Sequence, residues 1–410
     1  MKRDLTPTSQ VTRSASSVRL YISKGVRWQY FGLLLLVVLS LGLHFSIINN
    51  PESYVFDEAY YVPDARSIIA QEGSTLAEHP PLGKLIIATG MRIFGDNPLG
   101  WRFFAVIFGV LNIVLLYFIC RALGLSNRAT LLVTIIFTLE NLTFIQASIA
   151  MLDVYSLTFM LISLLLFLRS NLILAGIVAG LCILVKLPGI FILGIFFLYW
   201  LLHRRENWRL FVVPTTTAII SFIALLPFLE YAASGQFANP FLQIGYMIEH
   251  AGLLTFSDGN VLAASRPWDW LMNRGVIIYF HDPQYIAILS PTISAVIIPA
   301  ITYMSYRAVK RNRAALFGLI WFVCTYIPWV IISLVSDRLT YIYYLFPVVG
   351  AICIGLGLII SQLVERNHKN QIKGILNLTT AGVCLYLILH LLIFIALSPM
   401  ISPLYRWLGV

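Results

Sequence analysis

Apolar stretches of about twenty residues recur from Trp28 to the C-terminus, and each can cross a hydrocarbon core of roughly 30 Å as a helix. About eleven such stretches can be counted along the 410 residues. With 59% hydrophobic and only 11% charged residues, most of the chain has lipid for a solvent. The expected fold is all-α and polytopic, with about eleven transmembrane helices.

A net charge of +10 would suggest nucleic acid in a soluble protein, but here the charge follows topology. Basic residues fill the tail 1–29, Arg121 and Arg128, Arg169, the runs His203–Arg209 and Arg307–Arg313, and Arg366–Lys373. These loops alternate along the chain and are expected in the cytoplasm with the N-terminus. The partner loops hold Asp57, Glu58, Asp64, Glu72, Glu78, Glu249, Asp258, Asp269, Asp282 and Asp337, and are expected outside with the C-terminus. The five cysteines lie in apolar runs without metal-ligand spacing, so neither a disulfide framework nor a metal site is expected. No small-residue cleavage site follows the basic tail, so the run from Tyr30 to Ile48 reads as a first spanning helix in a cell-membrane protein.

The organisation then reads as a basic tail (1–29), an N-terminal transmembrane region (30–229) with an external loop at 49–100, a second external loop (230–284), and C-terminal helices (285–410). In the first loop, Ala59–Gln71 and Leu82–Phe94 have helical spacing and suit amphipathic helices on the membrane surface, with Pro63 in a first turn. Spanning helices are expected over Trp101–Cys120 and Thr130–Ala147, from Met151, over Leu172–Val185, Pro188–Leu202 and Leu210–Phe228, and from about Tyr285, Ala315, Ile342 and Ile375. Inner loops are short and basic, whereas both long outer loops carry acids, aromatics and prolines. Function is therefore expected outside.

The adjacent acids Asp57 and Glu58 follow the first helix, and a carboxylate that loses hydration near the interface gains the proton affinity a general base needs. His79, Lys84 and Arg102 share that segment and are candidates for binding a phosphate. Asp153 stands at the outer end of the fourth helix, where a charge inside the membrane would cost about 2.5–3.5 kcal/mol. Lys186 reads more simply as a snorkelling side chain. Arg338, in the short turn Asp337–Tyr344, offers a forked donor for phosphate oxygens. Tyr60, Trp268 and Tyr341 are candidates to position sugar or acceptor. Asn141-Leu142-Thr143 matches a glycan acceptor tripeptide. The sequence holds no Gly-rich phosphate loop, Asp-x-Asp pair, His-Glu-x-x-His helix or nucleophile elbow, and no cofactor is implied.

Five motifs occur together: Phe56-Asp57-Glu58, His79-Pro80-Pro81-Leu82-Gly83-Lys84, Leu152-Asp153, Arg266-Pro267-Trp268-x-Trp270, and Arg338-x-x-Tyr341-x-Tyr343-Tyr344-x-x-Pro347. In this order the chain resembles the protein O-mannosyltransferases and their relatives among the membrane-embedded GT-C glycosyltransferases. The resemblance implies a GT-C fold of about eleven helices, an outer active site under the first long loop, a mannosyl-phospho-polyprenol donor, and Asp57 as the catalytic acid residue with Glu58 beside it. Larger members of the family insert a carbohydrate-binding-like domain in the second long loop, for which Glu230–Gln284 is too short. The chain is thus similar to compact prokaryotic members, and to lipid A aminoarabinose transferases, which also lack that insert.

The reading is an inverting glycosyltransferase that moves a sugar, mannose by the resemblance, from a polyprenyl-phosphate lipid to a hydroxyl, expected on Ser or Thr of exported proteins. Glycosylation of a lipid or glycan by the same chemistry is the alternative. A transporter or flippase is the rival from another class, but transporters bind at the bilayer midplane, and here the charges gather at the outer helix ends.

Overall fold

The computed structural model describes residues 30–76, 78–252, 255–257, 263–370 and 373–401. The basic tail, Asp258 and the C-terminus at Val410 lie outside them. Helix α1 (Tyr30–Ile47) leads into the first long loop, which carries α2 (Glu58–Ile69) and α3 (Leu82–Phe94). Both loop helices fall where helical spacing put them. Pro63, however, lies inside α2 rather than in its first turn, because the helix starts at Glu58.

α4 (Pro98–Ala122) starts sharply: the Asn97 side chain accepts from Gly100 N at 3.1 Å, and Pro98 occupies the first turn. The next apolar run is not one helix. It breaks into α5 (Asn127–Thr138) and α6 (Asn141–Ser148), bent by 59°. The cause is Glu140, whose carboxylate caps α6 by accepting from Leu142 N and Thr143 N at 3.0 and 2.6 Å, and binds Ser290 N at 3.0 Å. Asn141 is fully buried and donates to the Ile286 carbonyl at 2.7 Å, so the acceptor tripeptide is not available to a glycan.

α7 (Leu152–Leu168) packs on α4 and α8 (Leu172–Val185), and α8 and, after a short 3₁₀ turn, α9 (Phe191–His203) pack on α10 (Arg209–Ser234). Small residues allow the close approach of α8 to α10, since a Cβ at Gly176 would sit 1.7 Å from Thr217 Oγ1. α11 (Pro240–Gly252) and the one-turn α12 (Pro267–Trp270) follow. Tyr285 opens no helix. Residues Ile277–Phe280 (β1) and Tyr285–Ala287 (β2) pair as an antiparallel hairpin, an exception to the all-α expectation. The one-turn α13 (Pro291–Ser294) and α14 (Ile297–Val309) come next, then α15 (Arg313–Val335), α16 (Phe346–Asn370) and α17 (Lys373–Leu397).

Among the described residues six helices are long and apolar enough to cross a membrane: α1, α4, α10, α15, the 342–364 helix and α17. The bent α5–α6 pair adds a seventh if it is one span, and α7, α8 and α9 are shorter apolar helices. α7, α8 and α16 form the buried centre, whereas α1 and α17 show their apolar side chains outward, as lipid-facing helices do.

Candidate active site

The end of the bundle beyond α1 and α4 gathers most of the candidate residues. Phe56 takes a left-handed φ of 51°, which turns the chain so that Asp57 becomes the N-cap position of α2 without capping it. Such a conformation costs about 1–3 kcal/mol and needs support. The Phe56 ring supplies it by stacking on Tyr279 at 4.2 Å and meeting Tyr343 edge-on at 5.9 Å. The result directs Asp57 and Glu58 to opposite environments.

Glu58 faces the interior. Arg102 Nε and Nη2 donate to its two oxygens at 2.9 and 2.8 Å, and the backbone N–H groups of Val55 and Ala150 donate at 2.9 and 2.8 Å. Arg102 directs its remaining hydrogens to the carbonyls of Ile48, Pro51 and Ser53. Both side chains are fully buried. This ion pair is saturated and ties α2, α4, the end of α1 and the α6–α7 turn together, so it corrects two expectations: Glu58 is not free to handle a proton, and Arg102 has no donor left for a phosphate.

Lys84 is also withdrawn from the expected phosphate set. Its Nζ donates to Ser74 Oγ and the Leu76 carbonyl at 2.5 and 2.6 Å, and Asp64 Oδ2 lies at 3.5 Å. Asp64 in turn accepts from Thr75 Oγ1 and Leu76 N at 2.9 and 3.1 Å. Burial lowers the Lys84 pKa, against the pull of Asp64 and Glu230. The cluster fastens α3 to the loop after α2.

Asp57 stands apart from both pairs. The residue keeps some exposed surface, but its carboxyl is enclosed by protein, and loss of hydration dominates its chemistry. Burial raises its pKa most, Asp153 and Glu78 add to that, and Lys186 and a hydrogen bond from Tyr343 pull it back, leaving it at about 7. Tyr61 and Tyr279 face the same carboxylate, and burial together with Asp57 raises both phenols well above their usual range.

Asp153, in the first turn of α7, accepts from Lys186 Nζ at 2.9 and 2.8 Å. The ammonium also lies 5.1 and 5.2 Å from the ring centres of Tyr343 and Tyr344. Lys186 was read as a snorkelling side chain, and that reading fails: it is buried and points into the bundle. Its position between two apolar helices, just before Leu187-Pro188-Gly189, was the available signal. That Asp153 would meet it across α7 and α8 was not.

His79 and Arg338 lie near one another and near Lys186. Burial lowers the His79 pKa well below normal, with Lys186, Lys84 and Arg338 lowering it further, so the imidazole is neutral beside three cations. Its Nδ1 is buried without a partner, and so is Arg338 Nε. Arg338 follows Asp337, which has a left-handed φ of 50° and is held by Arg266 at 2.5 Å and Ser257 N at 3.1 Å. Tyr341 stacks on Tyr343 at 5.3 Å near Asp57 and Arg338, and burial lifts its phenol to about 12. Tyr60 and Trp268 are exposed at 63% and 44%, so neither forms part of the enclosed surface.

Residues 78–231 match the family described as dolichyl-phosphate-mannose-protein mannosyltransferase. The chain is 24% identical to the polyprenol-phosphate-mannose–protein mannosyltransferase of Corynebacterium glutamicum, over 91% of this chain and 89% of that one. It is equally identical to the Mycobacterium tuberculosis protein of the same name, over 92% and 88%. The chain is a relative of the protein O-mannosyltransferases. Its fold agrees with the Saccharomyces cerevisiae protein O-mannosyltransferase Pmt1–Pmt2 complex bound to the sugar donor, at a TM-score of 0.75 and 11% identity over 91% of this chain and 90% of that one. ArnT from Cupriavidus metallidurans bound to undecaprenyl phosphate gives 0.64 at 16% identity, over 91% and 77%. This mannosyltransferase relative therefore has the GT-C fold and is a polytopic membrane glycosyltransferase. The matched family segment carries His79, Asp153 and Lys186, and begins after Asp57.

Proposed function

We propose that the chain transfers mannose from a polyprenyl-phosphate lipid to the hydroxyl of Ser or Thr in exported proteins, with Asp57 as general base, on the non-cytoplasmic face of the membrane. The observation that carries this reading is the isolation of Asp57. Glu58, Asp64 and Asp153 each hold a cation in direct contact, whereas the desolvated Asp57 carboxyl, with a pKa of about 7, forms no ion pair among the described residues. Names shared by the bacterial relatives support the donor and the class of acceptor.

In this reaction Asp57 takes the hydroxyl proton as the acceptor oxygen attacks the anomeric carbon. The bond from that carbon to the lipid phosphate breaks, its electron pair stays on the phosphate, and the configuration inverts. Raised basicity makes the proton transfer more favourable while the carboxylate remains ionised above neutral pH. Arg338 is the candidate for the developing phosphate charge, because Nε has no protein partner and its fork suits two phosphate oxygens. Lys186 contributes positive potential and, by holding Asp153, sets how strongly the neighbouring carboxylates repel each other.

Asp57→Asn keeps the size of the side chain and removes the proton acceptor. Transfer of labelled mannose from polyprenyl-phosphate-mannose to a Ser/Thr peptide by purified protein should fall by about 10²–10⁴-fold. Near-normal transfer by the folded variant would remove Asp57 from the chemistry.

A further inference from the structure

The geometry points to a second ligand site at the end of the bundle opposite Asp57: a pocket for a phosphate group, the chemistry shared by an anionic phospholipid head and free phosphate. A cavity of about 480 Å³ opens there between the α4–α5 turn, the α14–α15 turn and α16, a size in the range of small-molecule sites. Arg307, Arg313, Asn312, Ser126, Ser361 and Gln362 supply its polar lining, and no carboxylate belongs to it among the described residues. Arg307 Nη1 is positioned by Tyr303 Oη at 2.7 Å and Gln362 Oε1 at 3.0 Å, and Arg313 Nε by Tyr199 Oη at 3.0 Å. Neither arginine forms an ion pair among the described residues, so both keep guanidinium hydrogens for an anion.

Two helices also start at this cavity. Ser126 caps α5 and Asn312 caps α15, and the positive ends of both dipoles add to the field of the arginines. An apolar groove lies nearby on α16. Leu358 and Gln362 of α16 line the cavity, while Leu356, Ile359 and Leu363 of the same turns line an apolar groove of about 320 Å³ against α14 and α17. At about 100° per residue that groove lies on the opposite face of α16 and at the same depth, so it does not continue the cavity, and the polar lining alone defines the site.

The full-length protein in detergent is titrated with dioleoyl phosphatidylglycerol or phosphatidylethanolamine and bound lipid is counted by native mass spectrometry. The expected result is preferential retention of phosphatidylglycerol, weakened about tenfold or more (about 1.4 kcal/mol or more) in Arg307→Gln/Arg313→Gln. Lys310→Gln/Arg311→Gln removes the same charge from positions in the same turn that do not line the cavity and should leave binding unchanged. Equal weakening by the two double variants, or none by either, would overturn the pocket in favour of diffuse attraction. The unaltered protein gives an independent reading: a photoreactive phosphatidylglycerol should label residues 123–126, 307–314 and 358–363, and uniform labelling of all lipid-facing helices would refute the site. Displacement of the lipid by millimolar inorganic phosphate would identify free phosphate as the source, and retention of the lipid would identify the headgroup.

Discussion

Glu58→Gln separates a structural carboxylate from a chemical one. Glu58 accepts four hydrogen bonds, two from Arg102 and one each from Val55 N and Ala150 N. A glutamine keeps one acceptor oxygen and turns an NH₂ toward groups that are themselves donors, so at least one arm of the pair becomes donor against donor. The larger loss is electrostatic, since Arg102 remains fully buried without a counter-charge. Removing one partner of a buried ion pair costs about 3–5 kcal/mol, a large fraction of the stability of an ordinary domain. We expect a markedly lower thermal unfolding midpoint in detergent, and reduced recovery of monodisperse protein. Transfer per correctly folded molecule should keep its pH profile, because the proton acceptor is Asp57. Unfolding followed by intrinsic fluorescence, paired with the mannosyl transfer assay on the folded fraction, measures both. A Glu58→Gln protein of unchanged stability but no activity would refute the argument and return Glu58 to the chemistry.

Because burial lifts Asp57 to about 7, kcat/KM should rise with pH through that value and then level, and a flat profile between about pH 5 and 9 would count against the base assignment. The same shift has a stability sign: a carboxyl whose folded pKa exceeds its unfolded value contributes stability that is full below about pH 4 and lost as pH rises through about 7, so Asp57→Asn should be relatively more stable than the parent above neutrality. Lys84→Met leaves buried Asp64 without its cation, and should lower the yield of folded protein rather than the affinity for donor, which a donor KM on the surviving protein would check. Arg338→Ala should raise the donor KM at unchanged stability, with Arg338→Lys recovering only part, and unchanged donor kinetics in both would take Arg338 out of the site.

The sequence by itself determined what lipid and chain chemistry enforce locally. Runs of apolar residues long enough to cross a bilayer had to be helices, and helical spacing in the first loop located α2 and α3 within a residue or two. It also brought Asp57, His79, Asp153 and Arg338 forward, because charged residues at the ends of apolar helices need a reason to be there. Only the tertiary structure decided which of those charges are spent on each other. Glu58 and Asp57 are neighbours in sequence, yet the left-handed turn at Phe56 directs one into a saturated pair with Arg102 and leaves the other desolvated without an ion pair among the described residues. Lys84 and Lys186 are both lysines at the edge of an apolar helix, but only Lys186 faces Asp57, since the meeting of α7 with α8 is set by packing between distant segments. The kink at Glu140 was hidden for the same reason: its partner Ser290 is 150 residues away, and a carboxylate becomes a helix cap rather than a lipid-facing charge only when the fold surrounds it.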